Sequence, residues 1–431
     1  MKKNDNNRIL MISYYYPPMG TIGFLRNYFF SKSFSAIFNN VYVITTKYPP
    51  ILNKTAPNTD FVKINRVPNF DYRNLMNFFP NNKKAIRNNI NLKSKNKFVE
   101  FSRKIIDSFP FNIFFGEGGF IYILFAIIRS IRLIKQNKIN YIYSSFRPFS
   151  DHFISFILKL IFPKLIWIAD FRDLPIDNLR NNVFCPKLHR VIYKRIYSKA
   201  NFSITVSEGL AKSLQTIVPN IEVFQNGIYN LFESPNISKF NKFTISYTGS
   251  LYPNYSNPVP ILESIKELID SDKIDIQYFQ LVYCGKDYLL WQEYIEKYNL
   301  QNISLIKNEI TLQESIEIQS KSHINLILSW ASKQQKGVIT GKFFEYLNTG
   351  NPILCIINGE KDQELEKIYT DLKIGKIFYE NDNDKIKDWI WKFFTEWQND
   401  GKIEFEYNQE LLENYSWSNK TKELKNILFD N

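Results

Sequence analysis

Short, nearly uninterrupted apolar runs recur from one end of the chain to the other, and each is followed by an amphipathic stretch. In the first half these runs are RILMISYYY (8–16), VYVITTK (41–47), NYIYSS (140–145), KLIWIADF (164–171), FSITVS (202–207) and EVFQNG (222–227). In the second half they are FTISYTGS (243–250), FQLVYCG (279–285), ISLIK (303–307), HINLILS (323–329), PILCIIN (352–358) and KIFYE (376–380). Strands that are apolar on both faces and alternate with helices belong to parallel sheets covered on both sides. Amphipathic segments such as PVPILESIKELIDS (258–271) supply the covering helices, and Thr311 with Glu314 predicts a capping box that starts one at TLQESIEIQSKS. At 431 residues the chain exceeds what one core serves. The expected class is therefore α/β, with two Rossmann-like domains. The pattern lapses at LFESPNISKFNK (231–242), which sets the expected parts at 1–235, 236–415 and a terminal helix over 416–431.

Charge separates the two halves. Residues 1–240 carry 34 Lys+Arg against 13 Asp+Glu, a balance of +21, whereas residues 241–431 carry 21 against 29, a balance of −8. The first half suits an anionic partner and the second does not. The densest basic run, NNKKAIRNNINLKSKNKFVEFSRK (81–104), includes Lys93, Lys95 and Lys97, and only Glu100 opposes it. It reads either as a solvated loop or as one side of an anionic-membrane contact. The apolar, aromatic stretch FPFNIFFGEGGFIYILFAIIRSIRLIKQNK (109–138) follows it. Glycines and Glu117 interrupt that stretch, so it predicts surface docking or a core helix, not a membrane span. No nucleic-acid motif accompanies the positive charge. The three cysteines are scattered and the histidines number three, which argues against a disulfide framework and against a Cys- or His-based metal site. An N-terminus without a signal-peptide pattern predicts a cytoplasmic setting.

In open α/β sheets ligands sit beyond the carboxyl ends of the strands, so the strand ends carry the candidates. YYYPPMGTIGFLRN offers Gly20 and Gly23 in a loop feeding a helix, without the dinucleotide fingerprint. IADFRDLP crowds Asp170, Arg172 and Asp173 at one strand end, either as a structural ion-pair cluster or as catalytic groups. YSSFRPFSDHF adds Arg147 and His152. In the second half SYTGSLYP places Gly249 after a strand, where backbone can approach a ligand. GVITGKFFEYLNTGNP (337–352) then opens a helix with Thr340, Gly341 and Lys342, puts Glu345 one turn on, and closes with Gly350. Its aromatic residues predict a core face. Lys342 with the first-turn N–H groups predicts a diphosphate contact, and Glu345 an acceptor for a ribose diol.

Taken in order, YYYPPMGTIGFLRN, ADFRD, SITVSEGL, QNG, SYTGSLYP, TGKFFEYLNTGNPIL and the terminal NYSWSNKTKELKNIL resemble the GT-B-fold glycosyltransferases. Within these the chain is similar to the retaining family 4 of bacterial surface-polysaccharide synthesis. The resemblance covers most of the chain. It implies two Rossmann-like domains facing across a cleft, a nucleotide-sugar donor (UDP- or GDP-linked) on the second domain and an acceptor on the first. Under it Glu345 would take the ribose, while Lys342 and the Thr340–Gly341 backbone take the phosphates. Gly20 and Gly23 would lie between donor phosphate and acceptor. Neither a metal nor a separate cofactor is implied. Two departures stand out. The family's paired glutamates, with seven residues between them, are met only at the second member, with Gly337 at the first. The Arg and Lys pair common near the start of the second domain is absent from GSLYPNYSNP.

The reading that follows is a metal-independent, retaining glycosyltransferase at the inner face of the cell membrane. Its acceptor would be a glycan on a polyprenyl diphosphate carrier. The alternatives are a GT-B-fold nucleotide-sugar 2-epimerase and a non-catalytic nucleotide- or glycan-binding subunit.

Overall fold

A computed structural model describes residues 4–19, 22–48, 56–70, 101, 104–177, 181–229, 237–252, 255–308, 310–333 and 335–429. The chain forms two compact units, Met1–Asn226 together with Trp417–Asn431, and Gly227–Ser416.

In the first unit seven strands pair in parallel: β1 (Asn4–Ile12), β2 (Phe38–Thr46), β3 (Lys63–Val67), β4 (Tyr141–Phe146), β5 (Ile166–Phe171), β6 (Phe202–Thr205) and β7 (Ile221–Val223). Their order is β3-β2-β1-β4-β5-β6-β7, so the direction of winding reverses between β1 and β4. Side chains along β1 alternate between two buried clusters. Leu10 and Ile12 enter the core that holds Ile142 and Trp167, whereas Ile9 and Met11 enter the one that holds Phe30 and Tyr143. This two-sided burial is why the strand reads as a continuous apolar run. The edge strands depart from this: β3, KINRV, and β7 consist mostly of partly or fully exposed residues, and the apolar pattern does not reveal β3.

The Leu25–Ile37 helix buries ten of its thirteen residues, an unusual share for a helix on a sheet. The cause is the terminal helix, Trp417–Phe429, which covers its outer side. Trp417 stacks on Phe29 at 4.9 Å, the Thr421 and Ser33 hydroxyls pair at 2.8 Å, and Leu424 joins the cluster of Phe30 and Phe34.

The second unit repeats the plan with β8 (Phe243–Thr248), β9 (Phe279–Cys284), β10 (Ser304–Lys307), β11 (Ile324–Ala331), β12 (Ile353–Gly359) and β13 (Gly375–Tyr379). All are parallel, in the order β10-β9-β8-β11-β12-β13, with the reversal between β8 and β11. The two faces differ chemically. Phe243, Ile245 and Tyr247 of β8 enter an apolar core with Leu281, Trp291 and Leu326. Thr244, Ser246 and Thr248 point the other way and are just as buried. Buried hydroxyls need partners, and here they find them: Ser246 donates to Asn325 Oδ1 at 3.1 Å, and Thr248 Oγ1 accepts from Gln319 at 2.8 Å.

Candidate functional site

That polar face leads to the helix Gly341–Leu347. Its Phe343, Phe344, Tyr346 and Leu347 are all buried, as the aromatic spacing predicts. Lys342 turns instead toward the end of β8. Its Nζ donates to the Tyr247 hydroxyl at 2.7 Å and lies 3.9 Å from that ring's centre. The Tyr247 hydroxyl in turn donates a hydrogen bond to the Ser250 carbonyl at 2.7 Å, and its ring stacks with Tyr283 and Trp291. The lysine therefore rests on an aromatic deck, and burial lowers its pKa to about 7 against the pull of Glu345 and Asp287.

Gly249 makes this placement possible. Its φ of +121° suits glycine, and a Cβ there would fall on the Lys342 Cε and Nζ atoms. Lys342 thus lies across the carboxyl end of β8, beside the winding reversal, where an α/β sheet receives ligands.

Glu345 is only 4% exposed and points into the polar face. Its Oε2 accepts from Gln319 Nε2 at 3.0 Å. Burial raises its pKa, with Gln319 and Lys342 opposing the rise. Three buried polar atoms here have no hydrogen-bond partner: Glu345 Oε1, Thr340 Oγ1 and Gln319 Oε1. Unmet polar atoms beside a lysine are available to hydrogen-bond a ligand from outside. Gly341 and Lys342 also open the helix, where their N–H groups have no intrahelical acceptor. At seven residues the helix is too short for a large dipole, so attraction for an anion rests mainly on the lysine. Gly337 adopts φ +66°, and its N–H donates to Asp362 Oδ2 at 2.7 Å. A glutamate there would have to take a left-handed backbone.

The first unit has its own charged strand ends. Asp170 is fully buried and pairs with the equally buried Arg26 at 2.7 Å. It also accepts from the Tyr143 and Ser145 hydroxyls, each at 2.9 Å. Arg26 reaches on to Asn226 Oδ1 at 2.6 Å and the Phe224 carbonyl at 3.0 Å. Burial alone would raise the Asp170 pKa, but Arg26 outweighs it and holds the carboxylate charged. With its acceptor sites filled, Asp170 ties β5 to the Leu25–Ile37 helix and the chain after β7.

Arg172 is likewise a tie. It donates to the Gly23 carbonyl and, at 2.7 Å, to the Arg147 carbonyl. His152 is fully buried among Phe146, Trp167, Phe171 and Tyr197, with Nε2 at 3.2 Å from the Ser144 carbonyl. Burial lowers its pKa to about 4, so it is a neutral packing residue. Arg147 and Asp173 reach the surface. Arg147 binds Asp107 at 2.7 Å and feels Glu117 and Asp173 nearby. Gly20, Lys93, Lys95 and Lys97 lie outside the described residues.

Sequence reading passes over Arg26, Tyr247, Gln319 and Asp151. Asp151, fully buried, accepts from the Tyr14 N–H at 2.8 Å and the Tyr122 hydroxyl at 2.9 Å, and burial raises its pKa to about 7. Arg26 leaves one trace, a lone cation inside the aromatic run GFLRNYFF. Gln319 leaves none. Among the described residues, no group of three or more His, Cys, Asp or Glu side chains is gathered as a metal site requires.

Two parallel Rossmann-like sheets in succession, each with one reversal of winding, match the GT-B fold. Solved structures of this architecture include sucrose-phosphate synthase from Thermosynechococcus elongatus, with a TM-score of 0.59 and 11% identity over 98% of both chains. A variant of S. aureus TarM solved with UDP aligns at a TM-score of 0.56 and 11% identity, over 98% of this chain and 100% of that one. The catalytic domain of Starch Synthase IV from Arabidopsis thaliana, bound to ADP and acarbose, aligns at 0.55 and 9% identity, over 98% and 99%. No protein-family model matches the sequence, and no curated protein does.

Proposed function

We propose that the chain is a glycosyltransferase. It moves a sugar from a UDP- or GDP-linked donor, held by the second unit, to a glycan on a polyprenyl diphosphate carrier, held by the first. The observation that carries this reading is the set of unmet polar atoms around Lys342, beside a glycine-bordered strand end. Lys342 neutralises the diphosphate and supports it as a leaving group, together with the first-turn N–H groups. Glu345 Oε1 accepts from the ribose. Transfer is metal-independent and retaining, in surface-polysaccharide synthesis, and the work of stabilising the departing nucleotide falls on the protein. Support also comes from the fold, which is shared with sugar-transferring enzymes whose structures contain UDP or ADP.

Epimerisation is the weaker alternative, because an epimerase needs acid and base groups around the sugar. His152, His189 and His323 are each at most 4% exposed and hence poorly placed for that work. A non-catalytic subunit is the reading that Gly337 keeps in play.

The test is a panel of UDP- and GDP-sugars, scored by calorimetric binding and by slow hydrolysis or transfer. One donor should bind and turn over, and Glu345→Gln should weaken binding by about tenfold or less, the difference between a charged and a neutral acceptor. Binding without turnover for every donor supports the non-catalytic subunit. No binding at all refutes the nucleotide site.

A further inference from the structure

The Gly119–Asn137 helix covers the first sheet with one face, burying Tyr122, Ile123, Ala126, Leu133 and Ile134. A helix in that position ordinarily turns a polar face outward. Here Phe120, Ile121, Leu124, Phe125 and Ile128 form the outward stripe, each between 40% and 47% exposed. The short helix just before it (Phe111–Phe114) extends the stripe with Phe111 and Phe114, and Phe115 follows them, at 45–56% exposure. Phe114 stacks on Phe120 at 5.9 Å, so the two segments share one patch. Eight of the 21 large apolar side chains exposed among the described residues thus fall within 111–128, which is concentration and not scatter.

Further along the same helix the outward side chains change character to Arg129, Arg132 and Lys135, all exposed. No acidic residue occurs between Gly119 and Asn137. An aromatic patch bordered by cations matches the layering of an anionic bilayer surface, with acyl chains beneath charged headgroups. Among the described residues no helix is long and apolar enough to cross a membrane, so contact by this helix would be with the surface.

We infer that residues 111–135 are a docking surface for an anionic lipid bilayer, with the phenylalanines entering the headgroup boundary and Arg129, Arg132 and Lys135 meeting lipid phosphates. The inference deepens the lipid-linked-acceptor reading and takes its purpose from it. Vesicle binding needs no turnover, however, so the two fail separately.

The experiment is co-sedimentation of the full chain with vesicles of phosphatidylcholine alone and of phosphatidylcholine mixed with phosphatidylglycerol. Wild type should bind the mixed vesicles at least tenfold more tightly than the neutral ones. Phe120→Asp with Leu124→Asp and Phe125→Asp should abolish binding to both. Arg129→Gln with Arg132→Gln and Lys135→Gln should remove the preference for mixed vesicles. All three substituted aromatic and aliphatic side chains face outward, and an unchanged circular dichroism melt confirms folding. The glutamine variant keeps the test open if the aspartate variant does not fold. Wild type that ignores both vesicles overturns the inference, as does an aspartate variant that binds like wild type. An aspartate variant that turns a dimer into a monomer by light scattering, with vesicle binding unchanged, would assign the patch to a second copy and also overturn it. Vesicle binding with no nucleotide-sugar turnover leaves this surface standing and removes the transferase reading alone.

Discussion

Replacing Lys342 by methionine should stabilise the second unit at neutral pH while weakening its affinity for a nucleoside diphosphate. The magnitude follows from the position of the ammonium. Its pKa falls from 10.5 to about 7 through burial over Tyr247. A tenfold change in an acid constant is worth about 1.4 kcal/mol, so this fall amounts to about 4 kcal/mol of destabilisation at pH 7. Lys342 is partly exposed, and halving for solvent screening leaves about 2 kcal/mol. Methionine keeps the length and apolar stem. It forfeits the bond to Tyr247 and the ring contact, together worth about 1 kcal/mol. The net gain is about 1 kcal/mol, or about 2–4 °C in melting temperature for a unit of this size.

The sign with pH is also fixed. Between about pH 7 and 10 the unfolded chain binds the lysine proton and the folded chain does not, so wild-type stability rises with pH. The methionine variant should lose that slope. Loss of one charge-assisted contact should weaken UDP or GDP by roughly 10- to 100-fold. Calorimetric melts between pH 7 and 9, with and without nucleotide, provide the assay. A variant that is less stable than wild type and binds nucleotide equally well would refute both the buried-cation argument and the phosphate contact.

Two predictions concern the first unit. Asp151→Asn should flatten the pH dependence of stability between about 4 and 7. The folded carboxyl is raised from 3.8 to about 7, so its contribution is complete below the unfolded value and lost as pH rises through the folded one. His152 and His323, both lowered to about 4, act in the opposite direction in wild type and variant alike, so the difference between denaturation curves isolates Asp151. Equal slopes would refute the assignment. Arg26→Met should cost about 3–5 kcal/mol, because it leaves Asp170 buried without its counter-charge. Adding Asp170→Asn should recover a good part of that loss in urea titrations, and no recovery would mean that Arg26 matters through packing alone.

The class of fold was legible because its signal is local. A strand buried on both faces must be apolar along its length, and a covering helix must be amphipathic. Each of the twelve apolar runs overlaps one strand, and among the described residues only the polar edge strand β3 is missing from them. The Thr311–Glu314 capping box is likewise local, and both of its reciprocal hydrogen bonds form. The stretch around Lys342 showed the same legibility: its aromatic residues are core and its lysine is not.

What the sequence could not disclose are partners set by strand order. Asp170 meets Arg26 across 144 positions, Tyr14 meets Asp151 across 137, and Lys342 meets Tyr247 across 95. Those pairings decide that Asp170 is a buried support and that Lys342 is a depressed cation on an aromatic deck. The outward phenylalanines of residues 111–128 belong to the same category. Periodicity says that such a helix has an apolar face, but only packing decides which face the sheet covers and which it leaves to another partner.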